Sequence, residues 1–243
     1  MSTVPAAVVF DVDGTLADTE RDGHRVAFNR AFAEHGLDVF WDIGHYGCLL
    51  AVTGGRRRIV ADLARREETA DLAADETALE ELAVAVHRTK TRLFAEEVRR
   101  GAVAPRPGVR ALVADLTEHD VPVAVATTGS REWAEPLVEQ LLGVGTARVA
   151  VFGDDVRALK PDPEAYLLAL VRLGVAACRA VAIVDAAPGL AAARAAGLAT
   201  VVVTNHYTRR HDLRGAAMVR EAFDRPRPLT AAALGEVLRV RAG

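Results

Sequence analysis

The stretch AAVVFDVDGTLADTE, residues 6–20, runs an apolar segment straight into two carboxylates, Asp11 and Asp13, and then turns at Gly14. Two acids at the mouth of a buried strand repel each other and lose hydration. A folded chain keeps them only where a metal, a substrate or a solvated turn offsets the cost. Spaced two apart in extended geometry, they project to the same side. Gly14 lets the backbone turn sharply, and the Thr15 hydroxyl can tie the loop. A lone D-x-D is an ordinary turn; FDVDGTLADTE after a buried strand is far more specific.

Three other segments carry complementary chemistry. VAVATTGSREWAEPL sets Thr127, Thr128, Gly129 and Ser130 between an apolar run and a helix, where hydroxyls and helix-start amides can hold a phosphate or simply cap the helix. LKPDPEAY sets Lys160 before a proline, out of helical geometry, with Asp162 expected as N-cap and Pro163 as the first helical residue. A cation at a helix entrance gains nothing from the helix dipole, so a counter-anion is expected beside it. AVAIVDAAPGL ends an apolar run on Asp185. Together Asp11, Asp13 and Asp185 can hold one hard cation, Mg²⁺, through oxygen. Lys160 and the Thr127 loop can bind a phosphoryl group, with Asp11 as nucleophile and Asp13 as proton donor and acceptor.

These residues need a frame that brings distant segments to one edge. AAVVF (6–10), VPVAVAT (121–127), AVAIV (180–184) and ATVVV (199–203) read as strands buried on both faces, with no polar alternation. Helical segments such as GVRALVADLTEH and PEAYLLALVRLG separate the later ones, which predicts an α/β fold with a parallel sheet and its ligands at the carboxyl ends of the strands. Residues 20 to about 100 break this alternation and read as helical throughout, and RRGAVAPRPGV closes them as a Gly- and Pro-rich linker. The expected division is a Rossmann-like core, 1–18 and 106–243, with an inserted helical cap, 19–105.

The 243 residues carry a net charge of −3, which gives no electrostatic case for nucleic acid or an anionic membrane as partner. Two cysteines, Cys48 and Cys178, could pair but make neither a disulfide framework nor a zinc site. The N-terminal apolar run is too short for a signal peptide or a membrane span, so a cytoplasmic protein is expected. The expected partner is a small phosphorylated metabolite, and the expected state a monomer.

DVDGT, the strand-end Thr127, Lys160 in KPDPE and Asp185 resemble, in order and spacing, the four motifs of the haloacid dehalogenase superfamily, subfamily IA. The resemblance implies Asp11 as nucleophile, Asp13 as general acid and base, and Mg²⁺ held by Asp11, the Asp13 carbonyl and Asp185. The inserted segment is similar to that of CbbY-type xylulose-1,5-bisphosphate phosphatases. It implies Glu20 and His24 facing the sugar, with the turn from Gly54 to Arg58 (Gly54, Gly55, Arg56, Arg57 and Arg58) and the segment from His87 to Lys90 gripping the distal phosphate. Two features support this grip without the resemblance. Gly54 and Gly55 open a helix start with Arg56 directly after it, and Lys90 continues the apolar stripe of Leu79, Leu82 and Val86. Val184 stands where the family's fourth motif usually has an acid, Ala186 where it often has a serine, and Gly189 where a variant of the motif carries a compensating acid, and weaker Mg²⁺ binding is expected there. A β-phosphoglucomutase-like mutase and a non-catalytic phosphoester- or protein-binding member stand as alternatives.

Overall fold

The computed structural model describes residues 4–52, 54–66, 69 and 75–242. The chain divides into two compact units, Met1–Asp18 with Gly101–Gly243, and Thr19–Arg100.

The first unit is built on a six-stranded, all-parallel sheet: β1 (Ala7–Phe10), β2 (Val123–Ala126), β3 (Ala147–Val151), β4 (Ala180–Val184), β5 (Ala199–Val203) and β6 (Met218–Arg220). The order is β3-β2-β1-β4-β5-β6. Connections reverse direction at the β1–β4 junction, the place where such sheets open a crevice for ligands. The four strands expected from their apolar runs are buried along their whole length. The two edge strands, β3 and β6, are half-exposed and gave no such run. An apolar layer of Tyr166, Leu170, Leu190 and Leu198 packs against Val9, Ala124, Ala182 and Val202 of the sheet.

RRGAVAPRPGV is more than a linker. Its Arg106 is buried and donates to the carbonyls of Gly14 (2.6 Å), Val203 (2.9 Å) and Thr204 (2.7 Å).

The second unit is helical: one π-helical turn at Glu20–His24, then α1 (Arg25–Glu34), α2 (Ile43–Leu49), α3 (Gly55–Leu63) and α4 (Glu76–Arg99). The expected continuous helicity fails at residues 36–42, which run without helix into buried Trp41. Trp41 packs on Phe28 and Phe32, ring centroids 4.8 Å away in both cases, and the Asn29 side chain bonds both its N–H and its carbonyl. Side-chain hydrogen bonds thus replace the helical ones that the segment gives up. The part of the helical expectation over 70–74 lies outside the described residues. Both cysteines are free and exposed, so they are not paired. Among the described residues no helix is long and apolar enough to cross a membrane.

Candidate active site

In the sheet unit the chain leaves β1 at Asp11, whose N–H still donates to Ile183 of β4 at 2.9 Å. Asp11 Oδ1 accepts from the Val12 amide at 2.8 Å and lies 2.7 Å from the Lys160 ammonium. Both side chains are buried. Lys160 reaches Asp11 from the loop before the helix Glu164–Leu173, and its ammonium sits 5.1 Å from the ring of fully buried Tyr166. The helix starts one residue later than expected: Asp162 accepts from the Glu164 amide at 2.9 Å, and Pro163 precedes the first helical residue.

Asp185, at the end of β4, is also buried. Its Oδ2 accepts from Asn205 Nδ2 at 2.7 Å and its Oδ1 from the Thr15 hydroxyl at 3.4 Å. Gly14, at φ +72°, turns directly beneath it. A Cβ on Gly14 would fall 2.3 Å from Asp185 Oδ2 and 2.6 Å from Asn205 Nδ2, so the motif requires glycine for both backbone and space. Asp13, half-buried, bridges to Ala17 and closes the loop.

Burial, joined by the charge of Asp13, pushes the Asp11 carboxyl up against the pull of Lys160. Burial, joined by the charge of Asp11, pushes Asp185 up to about 8. Burial works against the Lys160 ammonium, yet the adjoining Asp11 carboxylate carries its pKa well above the usual range. Two buried acids that resist ionising beside one lysine make a site to which a hard cation brings compensation. Among the described residues no three His, Cys, Asp or Glu side chains gather as a metal cluster. Two buried carboxylates, Asp11 and Asp185, are the residues here that could hold a hard cation, with water completing its shell. Val184 is fully buried in the apolar layer, and a Cβ on Gly189 would lie 3.1 Å from Val184 Cβ and 3.5 Å from Asp11 Oδ2. Neither position supplies a third carboxylate.

At the end of β2, buried Thr127 accepts the Gly129 amide at 3.0 Å through its hydroxyl. Gly129 is pinned: its carbonyl takes the Gly153 amide at 2.8 Å, and a Cβ would strike Trp133 at 2.3 Å. Thr128 is exposed, and Ser130 precedes the helix Arg131–Leu142 without capping it through its side chain. Asp154 accepts the Arg131 amide at 2.6 Å, which removes one helix-start donor from the set expected for phosphate.

The helical unit gathers Glu20, His24, Gly55, His87 and Lys90. His24 is buried against Phe94 with ring centroids 4.1 Å apart. Buried Lys90 places its ammonium 5.0 Å from the Phe28 ring and 5.5 Å from Phe94, within cation–π reach. A Cβ on Gly55 would lie 2.7 Å from the His87 ring and 3.0 Å from Phe28, so its absence lets α3 and α4 close around the histidine. Burial, then the charges of Lys90, His24, Arg56 and Arg58, lowers His87 to about 4. Gly54 is exposed at φ +95°; Arg56 and Arg57 are exposed, Arg56 lying 3.8 Å from Glu80.

Sequence reasoning missed three residues, Tyr46, Asn205 and Arg106, and did not separate Arg58 from the other arginines of its turn. Arg58, not Arg56, turns inward, with its Nε donating to Val52 O at 2.9 Å and NH1 to the Tyr46 hydroxyl at 3.3 Å. Tyr46 in turn donates to Glu20 at 2.5 Å. The signal was helical spacing, since Arg58 shares the face of Asp62 while Arg56 and Arg57 do not. Asn205 stands two residues beyond the end of β5, and the rule that nominated Thr127 and Asp185 at strand ends, extended by one residue, would also have found it. Arg106 was hidden by its proline-flanked setting.

Residues 5–197 match the haloacid dehalogenase-like hydrolase family. The chain is 41% identical over 221 residues to Protein CbbY of Cereibacter sphaeroides, covering 89% of this chain and 92% of that protein. It is 38% identical over 228 residues to a CBBY-like protein of Arabidopsis thaliana, covering 93% of this chain and 72% of the other. The crystal structure of a mutant CbbY from Rhodobacter sphaeroides in complex with xylulose-(1,5)bisphosphate superposes with a TM-score of 0.79 at 36% identity, covering 95% of this chain and 99% of that one.

Proposed function

The chain belongs to the haloacid dehalogenase-like hydrolase family, and from that premise we propose that it is a Mg²⁺-dependent phosphatase of a small sugar bisphosphate, with xylulose 1,5-bisphosphate the first compound to test. The observation that carries the reading is the buried Asp11 carboxylate held 2.7 Å from Lys160 at the carboxyl ends of the strands, with Asp185 beside it.

In this reading Asp11 attacks phosphorus, the bond to the ester oxygen breaks, and Asp13 gives that oxygen a proton. Water then attacks the aspartyl phosphate while Asp13 takes its proton, releasing inorganic phosphate and restoring Asp11. Lys160 and the Gly129 region steady the charge on the transferring group. Asp11, the Asp13 carbonyl and Asp185 would hold Mg²⁺, which when bound neutralises charge on the phosphoryl oxygens. Glu20, His24, Gly54, Gly55, Arg56, Arg57, Arg58, His87 and Lys90 are the proposed contacts to the rest of the substrate, and we add Tyr46 to them.

The test is phosphate release from a panel of sugar phosphates, including xylulose and ribulose 1,5-bisphosphates, with and without Mg²⁺, beside Asp11→Asn. Mg²⁺-dependent release from a bisphosphate, lost in the variant, is the expected result. Conversion of one sugar phosphate to its isomer with no free phosphate would make the protein a mutase, and silence at saturating Mg²⁺ would remove both.

A further inference from the structure

We propose that Asn205 is the positioning residue of the cation site, fixing the one oxygen geometry in which Asp185 can serve as a ligand; this rests on the metal-dependent reading above. Three observations meet at its side chain. The amide nitrogen donates to Asp185 Oδ2 at 2.7 Å and to the Gly14 carbonyl at 3.3 Å. The amide oxygen accepts from the Tyr207 N–H at 2.9 Å, closing a turn that leaves the NH₂ end only one way to point. The backbone is held in turn by the Asn205 N–H, which donates to the Thr208 hydroxyl at 2.9 Å. The amide is thus oriented from behind before it reaches the carboxylate.

The space for this contact is built into the first motif. A side chain at Gly14 would occupy the volume where Asn205 Nδ2 and Asp185 Oδ2 meet. The Gly14 carbonyl is anchored from the other side by Arg106, which also ties the two residues preceding Asn205, Val203 and Thr204, through their carbonyls. One buried guanidinium therefore sets the loop after β1 and the end of β5 at a fixed distance, and Asn205 spans that distance to Asp185.

The contact matters because the site has so few charged ligands. With no cluster of three acidic, histidine or cysteine side chains among the described residues, a turn of the Asp185 carboxylate cannot be made good by a neighbour. A neutral donor on Oδ2 keeps the carboxylate plane fixed while leaving its charge for the cation. Partners of this kind behind metal ligands are worth about ten- to a hundredfold in metal affinity or activity.

The experiment is calorimetric titration of the full chain with Mg²⁺, repeated with Mn²⁺, for wild type, Asn205→Ala and Asn205→Ser. Serine retains a hydroxyl that can accept the Tyr207 amide but is too short to reach Asp185, so it separates the turn from the contact. The dissociation constant is expected to rise by about ten- to a hundredfold in both variants, with the metal-free melting temperature of Asn205→Ser close to wild type. At saturating Mg²⁺ the turnover of Asn205→Ser is expected to recover while KM for the phosphoester stays put. Wild-type affinity in Asn205→Ser would overturn the assignment and leave the phosphatase reading standing. Weakened metal binding in a protein that hydrolyses nothing on the panel would do the reverse. A wild type that binds neither cation would overturn both.

Discussion

In the sheet unit burial raises the Asp11 and Asp185 carboxyls, the second to about 8, whereas in the helical unit burial, helped by Lys90, lowers His87 to about 4. Each shift favours the neutral form, but the deficits have opposite sign. The acids of the strand ends gain from a cation. The helical unit packs Lys90 against Phe28 and Phe94 and turns Arg58 inward to 3.7 Å from Glu20, and there a histidine beside this positive charge resists taking a proton. The proposed sugar-bisphosphate reading asks for that contrast, an acidic site for the reaction and a cationic one for holding. It also follows that His87, neutral at pH 7, can serve as a hydrogen-bond partner there but does not add positive charge.

The contrast can be broken first at its reactive end. Asp11→Asn is expected to lower phosphate release by on the order of 10³-fold or more while the protein still binds the phosphoester, which equilibrium binding would check. At the holding end, Lys90→Met keeps the volume and deletes the charge. We expect KM to rise by about ten- to a hundredfold with a smaller change in kcat, the worth of a charge-assisted contact. The melting temperature should stay level or rise, because a buried ammonium is replaced by an apolar chain; a fall in both kcat and melting temperature would make Lys90 structural. Gly14→Ala tests the crowding at the acid site. Strain at φ +72° and the clash with Asp185 and Asn205 should cost about 1–3 kcal/mol in denaturant unfolding, and should weaken Mg²⁺ binding as well.

The smallest effect concerns pH. The folded chain binds fewer protons at His87 than the unfolded chain between about 4 and 6.5, so stability rises with pH across that window and is lost as pH falls through it. Thermal melts at pH 4.5 and 6.5 should separate less in His87→Phe than in wild type; an unchanged separation would assign the slope to other groups.

The reactive end was far more legible in the sequence than the holding end. Asp11, Lys160 and Asp185 each follow or adjoin an apolar run or a proline that fixes where the chain turns, so local chemistry announced them. In the helical unit the informative residues are set by packing between helices. Lys90 was visible because it interrupts an apolar stripe, but Arg56 and Arg58 differ only in which way α3 rotates, and that is decided by Ile59, Asp62 and Leu63 facing inward. Asn205 and Arg106 act through contacts to Gly14, a residue nearly two hundred positions from the first and about ninety from the second, beyond the reach of periodicity. Edge strands β3 and β6 were missed because one-sided burial leaves no continuous apolar run.

The position of β1 bears on how the chain folds. Val8 is matched with Val123 on one side and Val181 on the other, so β1 finds both neighbours only in segments far along the chain. Until then a fully apolar strand offers two unpaired edges, the kind of segment that associates between chains. With partners so distant, refolding should be slow for a protein of this size.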